Sequence, residues 1–160
     1  MGHVVCRNGI LVDPVKVAII LDLPPPTLVT HLRSMLGHTG YCRKFIRGYT
    51  EITAPMEKML KKDAKFQWME PYKERLDKLK NKMAIGPILM FSDWKKEFDV
   101  HVDASSVALG IVLTQPREGA LDHPIAFSSR KMSTIEKIYT TTEREGLAMV
   151  YALHKFQNVH

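Results

Sequence analysis

The segment VDASSVALGIVLTQ, residues 102–115, places a single acidic residue, Asp103, between two apolar runs. Apolar and polar residues alternate from position 97 up to Asp103, and the run ALGIVLTQ at 108–115 is largely apolar. Alternation with a period of two is typical of a β-strand whose two faces lie in different surroundings. The segment therefore predicts two strands joined by a short turn, with Asp103 at the end of the first strand.

More sheet and one helix are predicted downstream. The turn-rich stretch PREGALDH at 116–123 predicts a loop, PIAFSS at 124–129 predicts a third strand, and the segment from about 141 to 157 predicts a helix. One helix covers only one face of a three-stranded antiparallel sheet. The other face needs cover from the first half of the chain or from polypeptide outside it.

A hairpin and two helices are predicted at the start of the chain. GHVVCRNGILVD at 2–13 predicts a hairpin that turns at Asn8-Gly9. Asp13, followed by proline, predicts a helix cap, and the helix should end at the three prolines after position 23. Thr27 is expected to cap the next helix, and Gly37 is expected to end it.

Two further helices complete the predicted first half. YCRKFIRGYTEI at 41–52 predicts a helix with Tyr41, Phe45 and Tyr49 on one stripe. EPYKERLDKLKNKMA at 70–84 predicts an amphipathic helix that ends before Gly86-Pro87. Its apolar stripe consists of Tyr72, Leu76, Leu79 and Met83. The whole pattern predicts an α+β fold, with a helical unit followed by a three-stranded antiparallel sheet and one helix.

The composition, with 45% hydrophobic and 25% charged residues, is that of an ordinary soluble protein. No apolar run approaches the roughly 20 residues of a membrane-spanning helix, and no signal-peptide pattern opens the chain. An intracellular protein without membrane contact is therefore expected. Cys6 and Cys42 lack the spacing of a zinc site, and both are expected to be small buried or half-buried apolar residues.

Positive charge is concentrated in the first half of the chain. Residues 1–83 contain 15 Lys or Arg and 8 Asp or Glu, whereas residues 84–160 contain 8 and 9. Clustered Lys and Arg indicate a surface that binds a polyanion such as nucleic acid. Solvated helix faces explain the same counts, so charge alone leaves both interpretations open.

Asp103 and Glu145 are the candidates for metal chemistry. At three- and four-residue steps, the stripe of the last helix consists of Glu145, Ala148, Met149, Ala152 and Phe156. If this stripe faces the sheet, Glu145 approaches Asp103, and a divalent cation would relieve their repulsion. The alternatives are a strand-end turn for Asp103 and a capping box between Thr142 and Glu145. His101 is expected to be a packed or surface residue.

Seven blocks follow one another along nearly the whole chain. They are GHVVCRNGILVDPVKV, LRSMLGHTGYCRKFIRGYTEITAPM, FQW, GPILMFSDWKKEFDVHVDAS, ALGIVLTQ, HPIAFSSRKM and EKIYTTTEREGLAMVYAL. In this order they resemble the polymerase polyprotein of gypsy-type LTR retrotransposons, from the end of the reverse transcriptase domain through its thumb to the first half of the RNase H domain. The resemblance implies a cytoplasmic location, in virus-like particles, or a nuclear one.

The resemblance also implies roles for particular residues. Asp103 matches the first catalytic aspartate of RNase H and Glu145 its catalytic glutamate. The family uses four acidic residues to hold two Mg²⁺ ions, which cut the RNA strand of an RNA–DNA hybrid. Gly2 and His3 match the primer grip, which holds the primer end. Thumb candidates for phosphate contacts, which position a duplex without reading its sequence, are Arg43, Lys44, Arg47, Lys61 and Lys62.

The organisation implied by the resemblance has four parts. Residues 1–22 are a primer-grip-like hairpin and helix, 23–67 thumb-like helices, 68–92 a connecting helix and loop, and 93–160 an incomplete RNase H-like domain. In the family, the polymerase carboxylates precede the thumb, and two further RNase H aspartates follow the last helix. The chain is therefore expected to bind a hybrid or template–primer duplex, not to polymerise DNA, and to cut hybrids weakly or not at all.

Three positions depart from the family pattern. Gly146 stands where the family usually has Leu, and Asp99 and His101 stand where it usually has apolar residues. Such changes indicate a relaxed copy or ordinary variation among elements. An alternative function is therefore a non-catalytic module derived from a retrotransposon, which binds nucleic acid, or binds a protein through an exposed sheet or helix surface.

Overall fold

A computed structural model describes residues 2–117 and 120–157. Its strands are β1 (His3–Cys6), β2 (Gly9–Val12), β3 (Asp99–Ala104), β4 (Ala108–Arg117) and β5 (Ala120–Lys131). Its helices are α1 (Pro14–Asp22), α2 (Val29–Gly40), α3 (Tyr49–Lys58), α4 (Glu70–Ala84) and α5 (Thr141–Phe156), with 3-10 turns at Arg43–Phe45 and Glu136–Ile138. β1 pairs with β2, and β3, β4 and β5 form an antiparallel sheet in that order. The predicted α+β fold and three-stranded sheet are confirmed. No helix in the described ranges is long and apolar enough to cross a membrane.

The hairpin of β1 and β2 turns one residue earlier than the predicted Asn8-Gly9. Residues 7–8 form the turn, and Gly9 already begins β2. Gly9 has a φ of 143°, and a Cβ at this position would overlap the carbonyl oxygen of Leu89. The Ile10 N–H donates to the same oxygen at 2.7 Å. Glycine is therefore needed because two backbone segments approach closely at this point.

Helix α1 begins where it was predicted to begin. Asp13 caps it by accepting a hydrogen bond from the Val15 N–H at 3.0 Å. At the other end, Lys80 Nζ of α4 donates to the carbonyls of Leu21 and Leu23 at 2.9 and 2.6 Å. This lysine satisfies carbonyls that the helix end leaves open, and it ties α1 to α4.

Helix α2 begins and ends later than predicted. Leu28 is its cap residue and makes no side-chain cap bond, while Thr27 Oγ1 lies 3.2 Å from His31 Nδ1. Gly37 is exposed inside the helix, which continues beyond it because the buried stripe extends to Thr39. The predictions that Thr27 caps α2 and that Gly37 ends it are therefore wrong.

The helix predicted at 41–52 consists of two shorter elements. Gly48 has a φ of 72°, and this left-handed conformation separates the 3-10 turn from α3. Phe45 and Tyr49 are buried as their stripe predicts, but Tyr41 is 47% exposed. The break at Gly48 thus divides the basic residues of this segment from the helix that follows.

Two apolar clusters hold together the helical unit, which is the part of the chain that precedes β3. The first contains Val12, Ile20, Cys42, Phe45, Ile46, Tyr49, Ile52, Leu79, Met83 and Leu89, and the second contains Leu32, Met35, Leu36, Met56, Met59 and Leu76. The predicted stripe of α4 is confirmed, because its last three members are buried and Tyr72 packs against the second cluster. Cys42 is buried and Cys6 half-buried, both as free thiols. The first cluster draws on three of the four predicted parts of the chain, and that division stays a prediction.

Strands β4 and β5 extend into the loop predicted at 116–123. Arg117 pairs with Ala120, after a register shift that includes Pro116. Proline is tolerated at such an irregularity because no ladder hydrogen bond is required of its nitrogen. Residues 118–119 of the predicted loop lie outside the described residues, and the rest of it is strand. The loop prediction was therefore wrong for most of its length.

Helix α5 is capped two residues earlier than predicted. The Glu143 N–H donates to Thr140 Oγ1 at 3.3 Å, and the Thr140 N–H donates back to Glu143 Oε2 at 2.7 Å. The bond from the Thr140 backbone is the main reason that the pKa of the Glu143 carboxyl is lowered. The predicted capping box of Thr142 and Glu145 is wrong, and Glu145 takes no part in the cap.

The buried stripe of α5 is narrower than predicted. Ala148 and Ala152 are buried, and Ala148 packs with Leu109 of β4 in a third apolar cluster. Met149, predicted on the same stripe, is 59% exposed. Small residues bring the helix close to the sheet, and Tyr151 stands beside them with its hydroxyl 3.0 Å from Ser128 Oγ.

The first half of the chain covers β5 on its other face. The Thr50 N–H of α3 donates to Ser129 Oγ at 3.1 Å, and the two hydroxyls lie 2.8 Å apart. Phe127 packs against the first apolar cluster on the same side, since it stands two residues from Ser129. Lys131 Nζ also approaches Glu57 at 3.5 Å. The helical unit therefore covers the face of the sheet that α5 leaves open, as the sequence pattern of the sheet required.

A salt bridge fixes the chain between β5 and α5. The Arg130 guanidinium donates to both carboxylate oxygens of Glu136 at 2.9 Å, and the Ser133 N–H donates to Glu136 at 2.8 Å. The same guanidinium lies 5.2 Å from the ring centroid of Tyr151. The Arg130 bonds, with help from Ser133, lower the pKa of the Glu136 carboxyl from 4.5 to about 2.

Glu136→Gln is expected to lower the free energy of unfolding by about 1 to 2 kcal/mol at neutral pH. Because the folded pKa of Glu136 lies below 4.5, its stabilisation is complete above that pH and is lost as the pH falls towards 2. Urea unfolding of both proteins at neutral pH and at about pH 3 measures the difference, which should shrink in acid. Glu74→Gln, on an exposed side chain of α4, is the matched control. A difference that does not change with pH would contradict the expectation.

Candidate functional site

Asp103 lies in β3 opposite Gly110 of β4. Its neighbours Val102 and Ala104 pack in the cluster with α5, so the pleat of the strand directs Asp103 to the opposite face. There it lines a small cavity of about 40 Å³ together with Arg47, just before α3, and Glu51, in the first turn of α3. The strand carrying Asp103 therefore meets the basic half of the chain.

Glu145 lies on α5, one turn before buried Ala148, and its side chain is exposed. It thus belongs to the helix on one side of the sheet, while Asp103 faces the cavity on the other side. The cavity residues do not include Glu145. The catalytic and metal-binding roles of the two carboxylates stay predictions.

Neither Asp103 nor Glu145 has the structural role, in a turn or in a helix cap, that the sequence allowed as an alternative to metal binding. In the turn after β3, Ser105 Oγ accepts the N–H groups of Val107 and Ala108 at 3.2 and 3.1 Å, so Ser105 stabilises this turn. Within residues 2–117 and 120–157, Asp103 makes no side-chain hydrogen bond to the backbone. At the helix, the cap belongs to Glu143. Turn and cap therefore explain neither Asp103 nor Glu145.

Two exposed carboxylates are a small part of a magnesium site. In the part of the chain that the structure describes, no group of three or more His, Cys, Asp or Glu side chains is placed to hold a metal ion. Mg²⁺ is commonly held by one or two carboxylates together with phosphate oxygens and water, and a two-ion site needs several carboxylates. The described side chains therefore do not fit the two-ion arrangement that the resemblance implies.

Gly2 and His3, the predicted primer-grip pair, both meet Tyr41. The Gly2 N–H donates to the Tyr41 hydroxyl at 3.2 Å, and His3 Nδ1 lies 3.5 Å from the same oxygen. A Cβ at Gly2 would overlap the Tyr41 ring. The pair is thus packed on the segment before the 3-10 turn, and its role towards a primer stays a prediction.

The predicted phosphate contacts fall into two groups along α3. Arg43, Lys44 and Arg47 precede the helix, whereas Lys61 and Lys62 follow it. All five are exposed except Lys44, which is half-buried with its Nζ 5.2 Å from the ring centroid of Phe45. A helix of 10 residues separates the groups by about 15 Å. The first group also approaches the sheet, through Arg47 beside Asp103.

Sequence reasoning missed Lys155 at the end of α5. Lys155 lines a cleft of about 300 Å³ together with Tyr41, Arg43 and Lys44. In the sequence, a lysine in the last turn of a helix is explained by the helix dipole alone. Only the packing of α5 against the sheet brings this lysine near the basic 3-10 turn.

An apolar groove of about 550 Å³ lies between β3 and α5. It is lined by side chains that include Trp94, Met149 and Leu153, which are 58%, 59% and 69% exposed. Among the described strands, β3 pairs with β4 alone, so its other edge is unpaired next to the groove. An open strand edge beside apolar side chains is the kind of surface to which another polypeptide can add.

An antiparallel sheet in the order β3-β4-β5, a helix on one face and an acidic residue in the first strand are together the arrangement of an RNase H-like unit. The chain belongs to the family of RNase H-like domains found in reverse transcriptases, whose family model matches residues 68–160. The predicted resemblance to retrotransposon polymerase polyproteins is confirmed, because relatives of that kind match almost the whole chain.

Three relatives from Drosophila melanogaster illustrate the match. The retrovirus-related Pol polyprotein from transposon 297 is 41% identical over 159 residues, which is 99% of the chain and 14% of the relative. Those from transposons opus and gypsy are 36% and 35% identical, covering 96% and 99% of the chain and 16% of each relative. The chain thus spans about one seventh of the length of these relatives.

The fold is similar to that of foamy viral protease-reverse transcriptase. A structure in complex with dsDNA aligns with a TM-score of 0.84 and 20% identity, over 99% of this chain and 33% of the other. A structure in complex with an RNA/DNA hybrid aligns with a TM-score of 0.83 and 21% identity, over 98% of this chain and 21% of the other. Helical unit and sheet are both included, so the likeness covers the arrangement of the two.

Proposed function

We propose that the chain is the part of a retroelement reverse transcriptase that holds an RNA–DNA hybrid or a template–primer duplex. One observation carries the proposal: Arg47 of the helical unit and Asp103 of the sheet line the same cavity. The basic side chains before α3, which can contact phosphates, therefore extend to the strand that carries Asp103. Foamy viral protease-reverse transcriptase, which shares the fold, was solved with dsDNA and with an RNA/DNA hybrid.

The physical basis of binding is contact with phosphates. Exposed Arg and Lys side chains release counterions when they neutralise a nucleic-acid backbone, and this provides affinity without reading sequence. Arg43, Lys44 and Arg47 before α3, and Lys61 and Lys62 after it, offer two groups of contacts about 15 Å apart. A duplex lying along α3 could therefore be held at both ends of the helix.

Cleavage of the RNA strand, a reaction that uses Mg²⁺ in the family, is proposed for the complete polyprotein. Asp103 and Glu145 are proposed as the two acidic residues that this chain contributes, one from each side of the sheet. The side chains described here do not complete a magnesium site. The proposed location is that of the parent element, in cytoplasmic virus-like particles or in the nucleus.

Neutralising the five basic residues is expected to weaken hybrid binding by at least about 100-fold at low salt. The variant carries Gln at positions 43, 44, 47, 61 and 62, and fluorescence anisotropy with a labelled RNA–DNA hybrid measures its Kd. Asp103→Asn is the control and should bind with unchanged or slightly higher affinity, because it removes negative charge only. Binding that persists in the five-residue variant would overturn the proposed role of these side chains.

Little magnesium-dependent cleavage is expected from the chain by itself, because the described residues offer no cluster of three metal ligands. A labelled hybrid incubated with Mg²⁺ and sampled over hours measures the rate. The comparison is with Asp103→Asn, and the two proteins should be equally slow. Rapid cleavage by the unaltered chain that Asp103→Asn abolishes would contradict the expectation.

A second candidate function is recognition of another polypeptide through β3 and α5. The observation that favours it is the apolar groove beside the unpaired edge of β3. A second copy of the chain is the simplest occupant to test, by sedimentation over a range of concentrations. Association that Leu153→Glu disrupts would support this function, and a monomer at every concentration would count against it.

A further inference from the structure

The cleft that contains Lys155 combines side chains from both units of the chain. Tyr41, Arg43 and Lys44 come from the helical unit, and Lys155 comes from the end of α5. Residues 126–129 of β5 also line it. No sequence motif spans these elements, so the cleft exists only because the helical unit packs against β5 and α5 packs against the neighbouring strands of the same sheet.

The positive charge of the cleft is not neutralised by the residues that line it. Those residues, all within the described ranges, include three cations and neither Asp nor Glu. In the same part of the chain, Arg43, Lys44 and Lys155 make no salt bridge or side-chain hydrogen bond. Elsewhere in the fold, Arg130 and Lys131 do have carboxylate partners. The cleft therefore has free donors and an attraction for anions.

Further positive charge lies next to the cleft. Lys16 Nζ is 4.6 Å from the centroid of the Tyr41 ring. Burial raises the pKa of the neighbouring Cys42 thiol, and the charges of Lys16 and Lys44 oppose that rise. Two amines thus lie close enough to Cys42 to act on the same buried group. The positive potential extends from the cleft towards α1.

A tyrosine and an apolar wall complete the surface. The Tyr41 side chain lines the cleft, and its hydroxyl accepts from the Gly2 N–H and lies 3.5 Å from His3 Nδ1. Ala126, Phe127 and Phe156 provide apolar surface beside the cations. A volume of about 300 Å³ equals that of roughly ten water molecules, which is room for a phosphate with part of its sugar.

We propose that this cleft binds a phosphodiester of the nucleic-acid backbone, with Arg43, Lys44 and Lys155 as its ligands. The inference rests on the proposed function and adds to it a contact from the RNase H-like unit. One strand of the nucleic acid is then held by both units of the chain at once. The cations would hold the phosphate, and the apolar wall would pack against the adjoining sugar. The cleft presents no arrangement that distinguishes bases, and binding should not depend on sequence.

The first test uses the whole chain and a labelled RNA–DNA hybrid. Combining Arg43→Gln with Lys155→Gln should weaken binding about tenfold or more and make the slope of log K against log salt shallower by about two. Lys155→Arg should keep the affinity. Lys137→Gln is the control for charge, because Lys137 is exposed and lies before the start of α5, a helix of 16 residues and about 24 Å, whereas Lys155 lies at its end. Equal weakening by Lys137→Gln would overturn the proposal.

The second test separates this inference from the proposed function. Inorganic phosphate is titrated into labelled protein, and amide NMR shifts are expected to move at residues 126–129 and near Lys155, and to stay still in the double variant. If the chain does not bind the hybrid but phosphate moves these signals, the proposed function fails and the anion site stands. If phosphate leaves them unmoved, or moves them equally in the double variant, the site itself is refuted. Phosphate binding with unchanged hybrid affinity in the variant would refute the assignment to nucleic acid.

Discussion

Phe45→Ala is expected to lower the free energy of unfolding by about 3 to 5 kcal/mol. Phe45 is 1% exposed and lies in the first apolar cluster, which draws on α1, α3, α4 and the hairpin. Phe127 of the sheet packs against the same cluster, so the cavity would also loosen the contact between the two units. Urea denaturation followed by circular dichroism measures the loss.

Phe91→Ala is the matched control for Phe45→Ala. Phe91 is 48% exposed, so removing its ring should cost roughly 1 kcal/mol or less. Because the 3-10 turn bears Arg43 and Lys44, Phe45→Ala should also weaken hybrid binding, whereas Phe91→Ala should not. Similar losses of stability in the two variants would contradict the description of the core.

Gly9→Ala is expected to lower the free energy of unfolding by at least about 2 kcal/mol. Alanine is strained at a φ of 143°, and its methyl group would overlap the carbonyl oxygen of Leu89. Relieving the overlap requires the Ile10 N–H to give up its 2.7 Å bond to that oxygen. Loss of this hydrogen bond would detach the hairpin from the segment after α4.

Gly37→Ala is the matched control, with an effect of opposite sign. Gly37 lies inside α2, and a Cβ there meets nothing within 4 Å. Alanine should therefore stabilise the protein by up to about 1 kcal/mol through helix propensity. Thermal unfolding of both variants provides the comparison. A neutral Gly9→Ala would show that the hairpin does not dock in this way.

The sequence predicts best where one periodicity dominates a long segment. The stripe of α4 predicts a helix whose burial agrees with the pattern. The alternation before Asp103 predicts strand β3 correctly, but of its apolar face Val102 packs in the third cluster while Val100 is 45% exposed. At α5, Thr140 with Glu143 and Thr142 with Glu145 satisfy the same capping spacing. Which of the two pairs caps the helix depends on how the chain runs from the 3-10 turn after β5 into α5. A pattern in the sequence does not specify this.

Other differences arise from contacts between distant segments. Gly9 occupies its position because of Leu89, and Pro116 lies in a strand because β4 and β5 shift register there. Asp103 and Glu145 were identified as candidates from spacing and resemblance, but Arg47 beside Asp103 and Lys155 beside Arg43 depend on packing. Tertiary contacts of this kind leave no periodic signal in the sequence.

The salt dependence of hybrid binding tests most directly whether the chain holds a duplex through phosphate contacts. If about five cations contact phosphates, log K should fall with log salt with a slope of about −4.5, so affinity should fall roughly 500-fold between 50 and 200 mM KCl. The five-residue variant should lose most of that slope, and Asp103→Asn should keep it. A Kd for the unaltered chain that changes less than about threefold over this range would contradict the proposal.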